Sequence, residues 1–488
     1  MTASRIFRNF GTLSFVRLAS DGFTFAFFVV LSRVYGQEGL GEYSFAMALT
    51  GLFALFGDFG LYNLTIKEAS RHPAGVRELL GRVLALRLVL ALASFAGLLA
   101  VLPLLPISPQ GRLVVLLIGA YQYAYRITNG FAAIFVARER MGVVALLELA
   151  LRLLSSLAGV AVALLGGSLV LAVAALPALA VLEIFAAGWL VMRRHGAPRL
   201  AGGFSSLAAT AREAAPYGLS SVLFQLQSRV DVFLLGLLLG VAAAGVYNAA
   251  YRVIFLVSFL TYYAGVALFP AATRLFEEGR EELVRLYRAT LRSFALLGVP
   301  AAAGLALVAP DLVALIYGPE FEASAPVLRG LAPLLLLSGL KNFLSFFLMS
   351  CDRQVARVKV QSAAAAASVL AQLILIPLFG LLGAVAAGLV AEALLVACLI
   401  RSLAGELGSP GLGGPLLAAG VASAAFCAAF TGLPPLPIPA VIAGAVLIYG
   451  GALAAFPGVR RGELRLAWQW LFRRASGPGP LAPSGTRP

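Results

Sequence analysis

The sequence predicts an all-α polytopic membrane protein: about 14 transmembrane helices in two six-helix lobes, followed by a C-terminal helix pair. Its composition is the first indication, because 61% of the residues are hydrophobic and 12% are charged. A soluble domain carries about 25% charged residues, so lipid must solvate much of this surface. Long apolar runs joined by short polar connections are the second indication, and an internal repeat is the third.

The repeat consists of four residues that recur 204 positions later, with Gly36, Gly41, Tyr43 and Ala46 returning as Gly240, Gly245, Tyr247 and Ala250. Each copy lies where one long apolar run ends and the next begins. The glycines are typical of tight hairpin turns between two helices. Each lobe contains an even number of predicted spans, so both lobes enter the membrane in the same orientation. The axis that relates them should therefore lie along the membrane normal, and transporters of this build bind substrate between their repeats.

Each apolar run is long enough for one membrane span of about 20 residues. The predicted spans are 11–34, 42–63, 83–104, 112–136, 143–165, 168–191, 216–240, 244–268, 291–309, 327–349, 360–378, 381–401, 414–432 and 438–456. They predict an N-lobe over 1–200, a connector over 201–215, a C-lobe over 216–408 and a final helix pair over 409–457. A basic amphipathic and disordered tail follows over 458–488, and we expect it in the cytoplasm.

Alternate connections carry the arginines, which predicts the topology. The basic set includes 64–82, 192–215 and 269–290, and the opposite set is short and carries acids such as Glu320 and Glu322. Because positively charged loops stay on the cytoplasmic side, both termini are predicted in the cytoplasm. The segment 269–290 has apolar residues spaced among charges, so we expect it to be a helix that lies on the membrane surface.

The sequence excludes several classes of function. The net charge of +15 is spread between apolar runs, unlike a nucleic-acid-binding stripe. His72 and His195 lie in predicted loops without partners at metal-ligand spacing, and no lysine follows a phosphate-binding glycine loop. We therefore expect no metal, no cofactor and no enzymatic activity. A membrane glycan polymerase or ligase remains the alternative from another class, although it would need a large outer loop that this chain lacks.

Charged residues inside the predicted spans are costly and mark candidate sites. Arg17 and Asp21 lie four residues apart, as do Glu148 and Arg152, so each pair can neutralise itself along one helix face. Other basic residues have no obvious acid on their own helix: Arg126, Arg229, Arg252 and Lys341. These four favour an anionic ligand, since arginine forks bind phosphate oxygens well. The competing interpretation is structural pairing between helices.

These residues predict a cavity between the lobes that binds phosphate and sugar. The candidate ligand-binding residues are Arg17, Arg126, Arg229, Arg252, Lys341, Tyr121, Tyr125, Tyr247, Tyr251 and Gln225. The tyrosines suit sugar faces and hydroxyls, although tyrosine in a helix bundle also serves packing. Candidates for coupling to a proton or sodium ion are the intramembrane acids Asp21, Asp58, Asp231, Glu148 and Glu392, with Glu183 as a further acid.

Five segments, in order along the chain, resemble one known family. They are FGDFGLYNLTIKEASRH, VDVFLLGLLLGVAAAGVYNAAYRV, LFPAATRLFEEG, LVALIYGPEFEASAPVLRGLAP and IPLFGLLGAVAAGLVAEA. Together they resemble the prokaryotic polysaccharide transporters, or O-antigen flippases, of the multidrug/oligosaccharidyl-lipid/polysaccharide exporter superfamily. That family has 14 spans in two lobes of six plus a final pair.

The resemblance implies that the chain moves a polyprenyl-pyrophosphate-linked oligosaccharide, such as an O-antigen, capsule or exopolysaccharide repeat unit, to the outer leaflet of the cytoplasmic membrane. It implies a lipid-linked oligosaccharide, the bilayer and a proton or sodium ion as partners, along with glycan polymerase and chain-length regulator proteins, but no nucleic acid. A lipid II flippase or a cation-coupled multidrug exporter of the same superfamily remains the alternative.

Overall fold

The computed structural model describes residues 3–72, 75–138, 141–199, 203–430 and 437–455. The side chains of residues 3–19 and of Gln227 lie outside the described set, so the predicted pairing and binding role of Arg17 stay predictions. The amphipathic tail predicted over 458–488 lies outside it as well.

All regular secondary structure in the described ranges is helical. The α-helices are α1 (Ala3–Asp58), α2 (Leu61–Arg71), α3 (Val76–Val101), α4 (Pro109–Ala137), α5 (Met141–Leu164), α6 (Leu169–His195), α7 (Gly203–Leu238), α8 (Val241–Glu278), α9 (Arg280–Tyr317), α10 (Ser324–Leu331), α11 (Leu334–Ser350), α12 (Gln354–Leu407), α13 (Gly413–Phe430) and α14 (Ile438–Ala455). Within the described ranges, 9 helical runs are long and apolar enough to cross a membrane. The all-α membrane architecture is thus confirmed, and the count of 14 spans stays a prediction.

Both glycines that open the repeat form turns with positive φ. Gly36 (φ 65°, ψ −164°) breaks α1 into two helices, 3–35 and 37–58. Gly240 (φ 93°, ψ 161°) separates α7 from α8 with nearly the same geometry. A left-handed φ strains any side chain with a Cβ, which explains glycine at both places. Gly380 (φ 59°) breaks α12 in the same manner, into 354–379 and 381–407.

The two copies of the repeat pack directly against each other. A Cβ atom on Gly41 would lie 2.0 Å from the carbonyl oxygen of Val241, and one on Gly245 would lie 2.5 Å from the carbonyl oxygen of Gln37. Between them, the Asn248 amide donates to the Ser44 hydroxyl at 2.7 Å across 204 positions of sequence. Residues at equivalent places in the two copies thus meet each other, which is the contact made at a two-fold axis.

The lobes also meet near the turn at Gly36. Arg33 lies at the end of the first helix of α1 and donates through Nε to the Ile316 carbonyl at 2.9 Å and through Nη2 to the Leu315 carbonyl. Gln37 donates to the Glu320 carbonyl. Arg33 thus satisfies carbonyls at the end of α9 that the helix itself leaves unpaired, and Gln37 binds the turn that follows α9. The predicted topology places this junction, here called the outer junction, on the outer side of the membrane.

The lobes approach each other again at the far end of the second helix of α1, which ends at Asp58. Gly60 follows α1 with φ 82°, and a Cβ there would lie 2.4 Å from the backbone nitrogen of Gly218 and 2.7 Å from the Ala214 carbonyl oxygen, both in α7. A Cβ on Gly218 would in turn lie 2.8 Å from the Phe59 ring. Because backbone meets backbone, neither glycine can be enlarged without moving a helix.

The predicted surface helix over 269–290 is wrong. This segment is the end of α8 and the beginning of α9, joined at Gly279. Leu283 and Tyr287 are fully buried and pack in a core cluster with Phe347 and Leu403. The apolar residues that suggested a membrane-facing stripe instead pack against α11 and α12, so the two long helices extend the C-lobe beyond the predicted spans.

Each lobe is closed by an arginine at the start of its third long helix. Arg77 donates through Nε to the Ala197 carbonyl after α6 at 3.2 Å. Arg280 donates through Nη2 to the Glu406 carbonyl near the end of α12 at 2.9 Å. Glu406 also accepts from Arg280 at 2.9 Å and from Arg353 at 2.5 Å through its carboxylate. A basic side chain that binds the last carbonyls of a helix is favourable with respect to its dipole.

Candidate functional site

A buried tyrosine of the first repeat copy lies within electrostatic range of three arginines from three helices. Tyr43 is 4% exposed and lies on the second helix of α1. It interacts electrostatically with Arg252 of α8, Arg229 of α7 and Arg152 of α5. The sequence placed these cations on three separate helices, with Arg152 in the N-lobe and Arg229 and Arg252 in the C-lobe. The fold brings them together where the lobes face each other, and we call Arg152, Arg229 and Arg252 the arginine cluster.

Among the described residues, Arg229 is the member of the arginine cluster without a protein partner. It is half-buried, and within the described part of the chain it forms no hydrogen bond or ion pair. Two residues along α7, Asp231 is buried, but its carboxylate accepts from the Val232 backbone nitrogen at 2.7 Å and from the Tyr247 hydroxyl. These two bonds tie Asp231 to the helix junction, so the guanidinium of Arg229 is left for a ligand.

The other two members of the cluster have protein partners. Arg252 is half-buried with its guanidinium carbon 4.8 Å from the centre of the Phe28 ring, a cation–π contact across the lobe boundary. Arg152 donates to Asp21 at 2.9 Å. A flat cation over a ring still presents its edge donors, so Arg252 can bind an anion beside Arg229.

The expected direct pairing of Glu148 with Arg152 along α5 is wrong, because each residue bonds to a residue of another helix. Arg152 instead bonds to Asp21 on α1, and Glu148 accepts from the Tyr125 hydroxyl of α4 at 2.8 Å. The two side chains share a face of α5, but that face lies against α1 and α4, whose polar groups are better placed than the neighbour one turn away. Tyr125 stacks on Tyr121 with ring centres 6.3 Å apart.

Lys341 has an acid partner that the sequence did not assign to it. It forms an ion pair with Glu392 on the second helix of α12. The structural alternative thus describes Lys341 better than a free phosphate-binding cation does. Beside it, Asn342 donates to the Thr261 hydroxyl at 3.0 Å and fastens α11 to α8. Gln225 lies apart from this pair, since its amide nitrogen approaches Gly51 of α1.

Asp58 is paired rather than solvated at its helix end. Arg87 of α3, which sequence reasoning missed, is 1% exposed and forms an ion pair with Asp58. Its Nε and Nη1 atoms are buried without partners among the described residues. A lone arginine within the apolar run 83–104 was the signal that could have revealed it. Gly130 gives it room, since a Cβ there would lie 2.0 Å from Nη1.

One buried acid in the N-lobe has an unpaired oxygen. Glu183 of α6 is 6% exposed, and neither its Oε2 atom nor the Thr128 hydroxyl has a partner among the described residues. Both line a small cavity between α4, α5 and α6, together with Asn129 and Glu148. Arg126, on the same helix as Thr128, has a buried Nε atom that also lacks a partner in the described part. In the described ranges no group of three or more histidines, cysteines or acids is arranged to hold a metal ion.

Comparison with known proteins identifies the architecture. Residues 6–276 match the family described as "Polysaccharide biosynthesis protein". No curated protein matches the chain. Among solved structures, a lipid II flippase in an inward closed conformation is similar with a TM-score of 0.72 and 13% identity, over 91% of this chain and 98% of that one. An inward-facing multidrug resistance transporter of the MATE family and MOP superfamily is similar with a TM-score of 0.60 and 16% identity, over 86% and 100%.

These structural likenesses concern the fold alone, at identities of 13% and 16%. The family match covers more than half of the chain. Together with the apolar helices, the comparisons show a multi-pass membrane protein with the fold of those two solved structures, and the chain belongs to the polysaccharide biosynthesis protein family.

Proposed function

We propose that this protein flips a polyprenyl-pyrophosphate-linked oligosaccharide from the cytoplasmic to the outer leaflet by alternating access. The observation that carries the proposal is the arginine cluster, with Arg229 unbonded within the described part of the chain. A pyrophosphate offers the oxygens that guanidinium groups bind in pairs. The pyrophosphate lies between Arg229 and Arg252, the sugar fills the cavity between the lobes, and the lipid tail stays in the bilayer.

The contacts between the lobes are consistent with such a cycle. The outer junction uses backbone carbonyls and two polar side chains, Arg33 and Gln37. Hydrogen bonds of this kind contribute about 1 kcal/mol each, so they can break and re-form as the lobes rock. In this proposal the protein lies in the inner membrane with both termini cytoplasmic, and it supplies substrate to glycan polymerase and chain-length regulator proteins.

The alternative functions differ from the proposed one in the charge of the ligand, in its sugar or in the reaction. A cation-coupled multidrug exporter would need an acidic cavity, whereas the arginine cluster is basic. A lipid II flippase carries the same pyrophosphate and is distinguished by its sugar. A glycan polymerase or ligase would lengthen a lipid-linked glycan rather than move it.

Substitution of Arg229 tests the proposal. Arg229→Gln removes the charge and keeps a polar side chain, so flipping of lipid-linked oligosaccharide in proteoliposomes should fall at least about 100-fold, the loss of a charge-assisted pair of hydrogen bonds. Arg274→Gln is the matched control, because Arg274 is 68% exposed in its side chain at the end of α8. Flipping by Arg229→Gln at the control rate would overturn the proposed phosphate site.

The acid we assign to ion coupling is Glu183. Asp21, Asp58 and Glu392 are each paired with a basic residue, and Asp231 and Glu148 accept from tyrosines. An unpaired buried carboxylate is costly, so it must be neutralised by a proton or a small cation. In proteoliposomes, Glu183→Gln should flip at a rate that no longer responds to an imposed proton or sodium gradient. An unchanged response would exclude Glu183 and leave the flippase proposal standing.

A further inference from the structure

A ladder of aromatic rings follows α8 from the repeat motif away from the outer junction. It consists of Tyr247, Tyr251, Phe255, Phe259 and Tyr263, spaced four residues apart. Successive ring centres lie 6.1, 6.5, 4.7 and 6.0 Å apart. Tyr247 is 1% exposed, whereas Phe255 is 43% exposed. The ladder therefore begins in the packed centre of the molecule and is partly accessible from Tyr251 onward, most of all at Phe255.

The repeat shows which of these rings the fold requires. Because equivalent residues lie 204 positions apart, Tyr247 corresponds to Tyr43, and both are buried. At the next three levels the first copy carries no ring, since Met47, Gly51 and Leu55 occupy the places of Tyr251, Phe255 and Phe259, while Phe59 stands in the place of Tyr263. The equivalent helix of the first copy is thus built without these three central rings. Packing between the lobes does not account for the three rings.

The part of the ladder formed by Phe255 and Phe259 lies on the face of α8 that is directed to the N-lobe. Arg252, Phe255 and Phe259 follow at intervals of three and four residues, so they share one face of α8. Arg252 lies on Phe28 of α1, which fixes the direction of this face. Its counterpart in the first copy is Ala48, so the cation is as specific to the second copy as the rings are.

The remaining faces of α8 have other roles. Ser258 and Thr261 hydrogen-bond to α11. Val257 and Leu260 are 39% and 62% exposed, and these aliphatic side chains suit contact with hydrocarbon. A lipid-facing role therefore belongs to a different side of the helix from the face that carries Arg252.

We propose that Phe255 and Phe259, with Tyr251 above them, form the platform on which the sugar rings of the substrate stack. This inference rests on the proposed flippase function and specifies how its glycan is held. Sugar rings have apolar C–H faces and polar edges, and flat aromatic rings bind the former without fixing the hydroxyl pattern. Arg252 on the same face anchors the pyrophosphate, so the glycan that follows it extends along the ladder.

Binding by the purified protein in detergent tests the platform. Two probes are used: bare polyprenyl pyrophosphate, and lipid-linked oligosaccharide extracted from the source cells. Phe259→Leu introduces the residue that the first copy carries at Leu55. This substitution should lower the affinity for the glycosylated probe about tenfold, which corresponds to the loss of one stacking contact. The affinity for the bare probe should stay within about twofold of the wild-type value. Phe185→Leu on α6, where the ring is 69% exposed, is the matched control.

The outcomes separate the two proposals. If wild-type protein binds neither probe, the flippase proposal fails. If wild-type protein binds both probes and Phe259→Leu weakens the binding of neither, the sugar platform is wrong. If Phe259→Leu weakens the binding of both probes equally, the platform is also wrong, and the ladder binds the lipid instead. Should Phe259→Leu not fold, Phe255→Leu is tested in the same assay, because its ring is half-exposed and contributes less to packing.

Discussion

The contact between the two repeat copies leaves no room for a methyl group, so Gly41→Ala should destabilise the protein. The new Cβ would lie 2.0 Å from the Val241 carbonyl oxygen, where real Cβ atoms stay beyond 3.0 Å. The helices must therefore separate by about 1 Å, because the obstacle is backbone and cannot rotate away. The 2.7 Å bond between Asn248 and Ser44 would then exceed the normal limit of about 3.2 Å.

The expected cost combines these two effects. Overpacking costs about 1–3 kcal/mol, and one lost hydrogen bond costs about 1 kcal/mol, which gives about 2–4 kcal/mol in the free energy of unfolding. Thermal unfolding of the purified protein in detergent should show a midpoint roughly 4–8 °C lower, at roughly 2 °C per kcal/mol for a large chain.

Gly304→Ala provides the control for this experiment. Gly304 lies inside α9, and an added Cβ would meet nothing within 4 Å. Alanine is the better helix former by about 1 kcal/mol, so this variant should unfold at or above the wild-type midpoint. If Gly41→Ala and Gly304→Ala unfold together, the two copies are not in the tight contact described, and the reasoning is refuted.

Three further predictions concern buried groups. Lys341→Met should lower the free energy of unfolding by about 3–5 kcal/mol, because it leaves Glu392 charged and unpaired. The double variant with Glu392→Leu should recover most of that loss in a double-mutant cycle measured by thermal unfolding. Additive losses would contradict the pairing. Arg87→Met should lower the free energy of unfolding by a similar amount, and adding Asp58→Asn should recover part of that loss. If the effects of the two substitutions simply add, the ion pair is contradicted. Burial, with the nearby Glu406 carboxylate, raises the pKa of the Cys351 thiol to about 11. Since only the thiolate reacts, maleimide labelling of Cys351 at neutral pH should be several hundred-fold slower than that of a free thiol and should accelerate up to about pH 11; rapid labelling at neutral pH would refute its burial.

The sequence predicted the architecture because the bilayer constrains it so strongly. Long apolar runs can only be helices, and the positions of Gly36 and Gly240 located the turns before any contact was known. The failure over 269–290 has a simple cause. Leu283 and Leu286 are spaced as on a surface helix, and the spacing does not distinguish lipid from the protein partners that cover them.

The partners of the candidate site residues could not be predicted from the sequence. Arg229 and Arg252 lie within electrostatic range of each other, and their binding role stays a prediction. The partners of Lys341 and Arg152 could not be derived, because side chains a turn apart on one helix compete with side chains on neighbouring helices. Arg87 was overlooked because it stands alone in its span, and its acid Asp58 lies 29 residues away.

The meeting of Ser44 with Asn248 has a consequence for the origin of the chain. A contact between equivalent places is self-complementary, so a single unit of one lobe's size can make it with an identical copy of itself. Two serines at this place could still share one hydrogen bond, since a hydroxyl both donates and accepts. Fusion of two such units would free residues away from the axis to diverge, and Ala48 and Arg252 differ in this way. One chain can then carry an uncharged face in one lobe and the proposed binding face in the other, which a symmetric dimer could not combine.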